Sequence, residues 1–343
     1  MTSYAQDIQR AAIADVPWGK LDGCNILITG ATGLIGSCLV DVLMAHDDAT
    51  FHVYAAGRSE QRAQARFSAY LSSPRFHFLR YDVTEPVASD VPFHFIIHAA
   101  SGAAPQAFAH TPVEVMKSNI LGTLNLLDYG LALGLRRLLY VSSGEVYGQC
   151  SAPEISERDS GYVDPTKPRS CYPSSKRAAE TLCASFADEY GADVVIARPA
   201  HIYGPHFTES DNRVYAQFIR NVLRGEDIVM KSDGSQLRSW CYVVDCATAM
   251  LHILLQGAKG EAYNISDNSS AVSIKQLAEM VAEIGGRNVV MDIPKDDEKK
   301  GYNPVTRSVF LTDKLEALGW KVSGTMHDKM ASTIAEARNI LKQ

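Results

Sequence analysis

The sequence is short of several things, and each absence narrows the field. It has no excess of basic residues: 33 Lys and Arg stand against 39 Asp and Glu, a net charge of -6. Nucleic acid needs a cationic footprint, so it is not expected as a partner, and an anionic ligand must be met by a few local Arg and Lys. No apolar run approaches the ~18 residues that span a bilayer, so no membrane partner is expected. The opening stretch MTSYAQDIQRAAIADVPW carries acids and lacks an apolar centre, and it does not read as a signal peptide. The seven cysteines include no C-x-x-C pair. Neither a zinc or other metal site nor a disulfide framework is expected, and reduced thiols in the cytoplasm are the default. Repeats and low-complexity linkers are missing too. A chain of 343 residues without a visible linker predicts two intimately packed lobes.

What is present is organised around Asn25 to Gly36, NILITGATGLIG. The run Ile26, Leu27, Ile28 is apolar and rich in β-branched residues, the pattern of a buried parallel strand. Glycines follow at Gly30, Gly33 and Gly36, and an apolar helical run extends from Leu34 to Met44. Strand, glycine turn and helix together make a dinucleotide cradle. Gly30 allows a tight turn, Gly33 lets backbone approach a pyrophosphate, and Gly36 lets the helix pack closely. Thr32, Gly33, Leu34 and Ile35 stand at the helix start, whose free N–H groups are expected to face the phosphates.

The rest of the first lobe alternates strands with helices, which predicts an α/β fold with a Rossmann-type doubly wound parallel sheet. The second strand, Phe51 to Ala56, ends in Gly57, Arg58 and Ser59. A carboxylate at that end would hold the ribose 2′-hydroxyl of NAD, whereas Arg58 suits the 2′-phosphate of NADP. Both cofactors stay open on this feature. A third strand, Phe76 to Tyr81, leads to Asp82 and Val83, where an acid can meet the adenine amino group or simply cap a turn. A fourth, Phe93 to Ser101, ends in Ala99, Ala100 and Ser101, small enough to admit cofactor, with Gly102 next in line towards substrate. A helix from Pro112 to Leu133 carries Asn119, and a fifth strand, Arg137 to Ser143, brings Ser142, Ser143 and Glu145 to its carboxyl end. The sixth strand, Asp193 to Pro199, leads to His201 and Ile202, which are expected beside the cofactor. Beyond them the pattern becomes shorter and irregular.

Residues 1–24 are thus an N-terminal extension with a helix over Tyr4 to Ala14. Residues 25–199, with 241–265 returning to them, form the dinucleotide domain. Residues 200–240 and 266–343 form the second lobe.

Tyr172 and Lys176 lie one helical turn apart at the start of a helix, so both side chains share a face. Of the 15 tyrosines, only Tyr172 has a lysine four residues on. An ammonium beside a phenol favours the phenolate, which can take a proton from an alcohol while hydride leaves the same carbon. A Ser143 hydroxyl can share the substrate oxygen.

The set TGATGLIG, Asp82-Val83, HAAS, VSSGEVYG, YPSSK, RPAHIYGP and LRSWCYVVD, in that order, resembles the extended short-chain dehydrogenase/reductase family. Within it the chain is similar to the nucleotide-sugar epimerase, dehydratase and decarboxylase group, and most of all to UDP-glucuronate decarboxylases. The resemblance implies NAD as cofactor, a nucleoside-diphosphate sugar as substrate, and a homodimer through helices like Pro112 to Leu133 and Pro173 to Tyr190. It places Ser143, Glu145, Tyr172 and Lys176 in the chemistry. Arg238 would clamp the diphosphate, Arg213 would lie near it, and Arg307 would reach the nucleotide. Two departures stand out. Dehydratases of the group carry an acid and decarboxylases a serine at the position of Gly144, and many relatives carry Asn at that of His201. The missing acid disfavours 4,6-dehydration, since hydroxide leaves poorly without a proton. The expected function is therefore modification of a UDP-sugar through a 4-keto intermediate, decarboxylation first. A 4-epimerase, a dehydratase and an NADPH-dependent 4-keto-sugar reductase remain as alternatives, with a non-catalytic dinucleotide sensor as a reading from another class.

Overall fold

The computed structural model describes residues 3–208, 211–293 and 306–342. Residues 303–305 of the NPVTRS stretch lie outside them. Helix α1 (Tyr4–Ala11) starts at a Ser3/Gln6 capping box. It is followed by β1 (Asn25–Thr29), α2 (Leu34–Ala45), β2 (His52–Gly57), α3 (Glu60–Arg66), β3 (Phe76–Arg80) and β4 (Phe95–His98). Then come α4 (Pro105–His110), α5 (Pro112–Leu133), β5 (Arg137–Val141), α6 (Cys171–Glu189), β6 (Val194–Pro199), β7 (His201–Tyr203), α7 (Val214–Arg224) and β8 (Ile228–Met230). The chain continues through β9 (Leu237–Tyr242), α8 (Val243–Gln256), β10 (Ala262–Ile265), β11 (Asp267–Ser273), α9 (Ile274–Gly285) and β12 (Val289–Met291). It closes with β13 (Arg307–Ser308), α10 (Asp313–Glu316) and α11 (Met326–Ile340).

Seven parallel strands form the main sheet in the order β10-β6-β5-β4-β1-β2-β3. The Val, Ile and Leu runs of the central strands β1, β4, β5 and β6 are what a sheet covered on both faces requires. The order reverses between β1 and β4, and the carboxyl ends there open the crevice where such folds take ligands. Gly30 closes the turn after β1 with φ +68°. A Cβ on Gly30 would stand 2.7 Å from Ala100 Cα, and one on Gly36 would stand 2.4 Å from the Gly30 carbonyl oxygen. The Gly36 contact is with the turn itself. Gly36→Ala is therefore expected to cost about 1–3 kcal/mol of stability and to lower the dinucleotide released from the denatured protein.

A second sheet is built on β9. β11 runs antiparallel to it, while β7 and β13 lie parallel to it at different ends. Cys241 and Tyr242 belong to this sheet; α8 follows, and β10 then pairs with β6 at the edge of the main sheet. Strands β4 and β5 end at His98 and Val141, which leaves Ala99 to Ser101 and Ser142 to Ser143 just past their ends. Helix α1 stops at Ala11 rather than Ala14. It is held by polar bonds as well as apolar packing: Tyr4 donates to Asp41 (2.7 Å) and Tyr242 donates to Asp7 (3.2 Å). Helix α11 had no counterpart in the sequence reading. Among the described residues no helix is long and apolar enough to cross a membrane.

Candidate functional site

Two elements carry the groups expected to react. β5 ends at Val141 and releases Ser142 and Ser143 into a short turn, Gly144–Tyr147, that the Ser143 hydroxyl caps by accepting the Glu145 N–H (3.1 Å). α6 opens at Cys171, so Tyr172 and Lys176 occupy its first two turns. Asn119 on α5 donates to the Ser175 hydroxyl (2.9 Å), which locks α5 to α6 beside this turn.

Tyr172 and Lys176 are both almost fully buried. Burial pushes the Tyr172 phenol up to about 12, and the Glu145 charge adds to that. The Ser143 hydroxyl and the Arg213 and Arg169 guanidinium charges act the other way. Burial pulls the Lys176 ammonium down to about 7, with Glu180 partly opposing. Lys176 donates to the Val141 carbonyl (2.7 Å), and its Nζ stands 5.8 Å from the Tyr172 ring centre. Because Ser143 lowers the Tyr172 pKa, Ser143→Ala is expected to raise it. The acid limb of the kcat/KM–pH profile should then move to higher pH, with a fall of at least about tenfold at neutral pH.

Glu145 is half-exposed and takes both guanidinium arms of Arg169 (3.0 and 3.1 Å). The Arg169 guanidinium lies over the Phe108 ring (4.6 Å), and Phe108 stacks on Tyr172 (4.7 Å between centres). Arg169 and Phe108 were not singled out in the sequence. Arg169 stands one turn before Tyr172, a signal available in principle; Phe108 arrives from α4 with no local signal.

The expected phosphate-binding arginines differ in setting. Arg238, on β9, is buried; it donates to the Leu237 carbonyl (3.0 Å) and to Gln236 (3.2 Å) and feels the Glu145 charge. Arg213, at the start of α7, is ion-paired with buried Asp211 (2.5 Å) and donates to Tyr215 (3.2 Å). Arg307 is exposed and donates to the Pro153 carbonyl. His201 lies beside Trp240, its ring 5.2 Å away. Burial and the Arg238 and Arg213 charges pull it down to about 3, so it is neutral.

The structure places most of the residues expected at the cofactor at or just past the carboxyl ends of the main-sheet strands. Thr32 and Gly33 form the turn, Leu34 and Ile35 open α2, and Arg58 is exposed past the end of β2. Asp82 caps its own turn by accepting from the Thr84 N–H (3.0 Å) and hydroxyl (2.8 Å). These bonds and the Arg58 charge lower its pKa against the effect of burial. Val83 packs under Gly122, and Pro199, the last residue of β6, and Ile202, in β7, are buried. Ser101 Oγ, Ser142 Oγ, Asn119 Oδ1 and His201 Nδ1 are buried with no hydrogen-bond partner in the protein. Buried polar atoms seldom stay unpaired, so this set fits a large polar ligand such as a dinucleotide at the ends of β4, β5 and β6.

Residues 26–266 match the family described as the NAD dependent epimerase/dehydratase family. UDP-glucuronic acid decarboxylase 6 of Arabidopsis thaliana is 36% identical over 297 residues, 87% of this chain and 84% of the plant protein. Among solved structures, the UDP-glucose 4-epimerase of Thermotoga maritima with UDP-glucose superposes with a TM-score of 0.80 at 25% identity, over 92% of this chain and 99% of that one. The UDP-glucuronic acid 4-epimerase of Bacillus cereus, in complex with UDP-glucuronic acid and NAD, gives 0.79 at 21% identity over 92% and 99%. With a glycine turn at a topological switch, a Tyr172–Lys176 helix beside it and a match over most of its length, the chain belongs to the NAD dependent epimerase/dehydratase family.

Proposed function

We propose that the protein modifies a nucleoside-diphosphate sugar through a 4-keto intermediate, and that UDP-glucuronate decarboxylation is its reaction. The observation that carries this reading is the turn after β5. It keeps the carboxylate of Glu145 but has glycine at 144, and that glycine is covered by a phenyl ring. The names of the most similar relatives, UDP-glucuronic acid decarboxylases, support it.

In this reading Tyr172 takes the proton of the sugar 4-hydroxyl, with Ser143 hydrogen-bonded to the same oxygen and Lys176 favouring the phenolate. NAD, held at the Gly30–Gly36 turn, would supply a reversible hydride acceptor for carbon 4. The ketone at carbon 4 is β to the carbon-6 carboxylate, so it accepts the electron pair left when carbon dioxide departs. Arg238 holds the diphosphate with its planar guanidinium, and Arg213, already neutralised by Asp211, orients beside it. The experiment is direct: purified protein is given UDP-glucuronate, and carbon dioxide and nucleotide pentose are measured. Equal amounts of both, with no net change in dinucleotide redox state, are expected. A 4-epimer of the same sugar with no gas release points to an epimerase instead, since Ser143, Tyr172 and Lys176 serve that reaction equally. Stoichiometric oxidation of added NADPH points to a reductase; Arg58, with no carboxylate at the end of β2, leaves that cofactor open.

The protein works in this reading as a cytoplasmic homodimer. Val113, Met116, Leu121, Leu131 and Leu133 leave apolar surface exposed along α5, and joining two such faces would bury it. Sedimentation at twice the chain mass is the expected result.

A further inference from the structure

Gly144 sits between Ser143 and Glu145, at the centre of the reactive turn. A Cβ built on it would stand 2.5 Å from the tip of the Phe310 ring and 3.1 and 3.2 Å from the two adjacent ring carbons. The place of a side chain at 144 is therefore taken by that ring. Phe310 cannot readily swing aside. It is 2% exposed and packs with Val146, Tyr147 and Ile155. Its own N–H donates to Ser239 on β9 (3.2 Å). On either side Ile155 donates to the Val309 carbonyl (2.8 Å) and Leu311 donates to the Ile155 carbonyl (2.9 Å). Two residues earlier, Ser308 is in register with Arg238. The ring is thus held by the second sheet and by the 153–155 loop, and close-packed interiors resist such displacement.

We infer that Phe310 is a specificity-determining residue: wedged against Gly144 between Ser143 and Glu145, its ring denies that face of the site both a protic side chain and water, and so decides which group the sugar loses. The inference rests on the 4-keto reading above. A hydroxyl leaves carbon 6 with the C–O electron pair and needs a proton on the departing oxygen. A phenyl ring supplies none, and Glu145 is engaged as an acceptor by both arms of Arg169. A carboxylate at carbon 6 leaves differently. The pair of the C5–C6 bond stays on carbon 5 and passes into the carbon-4 carbonyl as an enolate. Carbon 6 departs as neutral carbon dioxide, and carbon 5 is protonated afterwards. No proton is needed at the departing group, and a dry apolar wall favours the dispersal of the carboxylate's charge.

The test uses the holoprotein and four variants: Gly144→Ala, Gly144→Asp, Phe310→Ala and the double variant Gly144→Asp with Phe310→Ala. Bound dinucleotide and thermal midpoint are recorded for each, and Gly144→Ala serves if Gly144→Asp does not fold. Carbon dioxide release from UDP-glucuronate and formation of a 4-keto-6-deoxy sugar from UDP-glucose are the readouts. A side chain at 144 alone is expected to lower kcat/KM for carbon dioxide release about tenfold or more. Adding Phe310→Ala should restore most of that loss and give detectable 4-keto-6-deoxy product, which Gly144→Asp alone should not. Full activity in the single Gly144 variants, no recovery in the double variant, or dehydration by Gly144→Asp with the ring in place overturns the inference. Failure of the wild type to release carbon dioxide from UDP-glucuronate overturns the decarboxylase reading instead, so the two failures are told apart.

Discussion

Tyr172→Phe is expected to lower kcat by about 10²–10⁴-fold while the protein keeps its bound dinucleotide. The change removes one oxygen and leaves the ring, so the stacking on Phe108 at 4.7 Å survives. What disappears is the group that takes the proton in the proposed reaction. The phenol is poorly suited to that task by itself, since burial pushes it up to about 12. The same burial pulls Lys176 down to about 7, so near neutral pH its ammonium is only partly formed. The two shifts have one cause, and one remedy suits both. Anionic groups arriving beside Lys176 favour its charged form, and a charged Lys176 favours the Tyr172 phenolate. Adding UDP-glucuronate to the wild type should therefore give a transient nicotinamide absorbance that the variant lacks. Turnover within about tenfold of wild type would remove Tyr172 from the role of base.

The parts of this site that were legible are those whose chemistry is local in the chain. The turn from Gly30 to Gly36 follows its strand directly, and Tyr172 and Lys176 are one helical turn apart. Their spacing therefore carried the geometry. What was hidden depends on folding. Glu145 was visible as an acid, but the Arg169 side chain that grips it comes from the far end of a loop. Phe310 is distant in sequence from the Gly144 it covers, and nothing around VFLTDK announces a ring aimed at the reactive turn. Strands β9 and β11 carry Ser, Arg, Asn and Asp among their apolar residues, and β7 is only three residues long, so none of them reads as a plain apolar strand. Helix α11 was missed for a related reason. It buries Lys329, Ser332 and Thr333, so its inward face does not read as an apolar stripe.

That same polar face sets the largest stability effect. Lys329→Met is expected to destabilise the protein by about 3–5 kcal/mol, a fall of roughly 5–10 °C in thermal midpoint. Lys329 is 5% exposed; its ammonium is 2.5 Å from Asp245 at the start of α8 and 4.0 Å from Asp267 on β11. Ser323 completes the Asp245 shell with its N–H (3.2 Å) and hydroxyl (2.7 Å). Burial raises the Asp245 pKa, and Lys329 is the largest influence holding it down. Met fills the space of the lysine stem but leaves two carboxylates without their cation. The folded protein can escape only by protonating one of them. Its Asp245 pKa then rises further above the unfolded value, so the folded state binds more protons than the unfolded one. Stability of the variant should accordingly improve relative to wild type as pH falls through that raised pKa, and the deficit should be greatest above it. Adding Asp245→Asn to Lys329→Met should recover a large part of the loss at neutral pH, because removing both charges of a buried pair costs far less than stranding one. Thermal unfolding of the three proteins between about pH 5 and 8 decides it. A deficit that does not change with pH, or no recovery in the double variant, would mean that Lys329 holds α11 through its aliphatic stem and not through its charge.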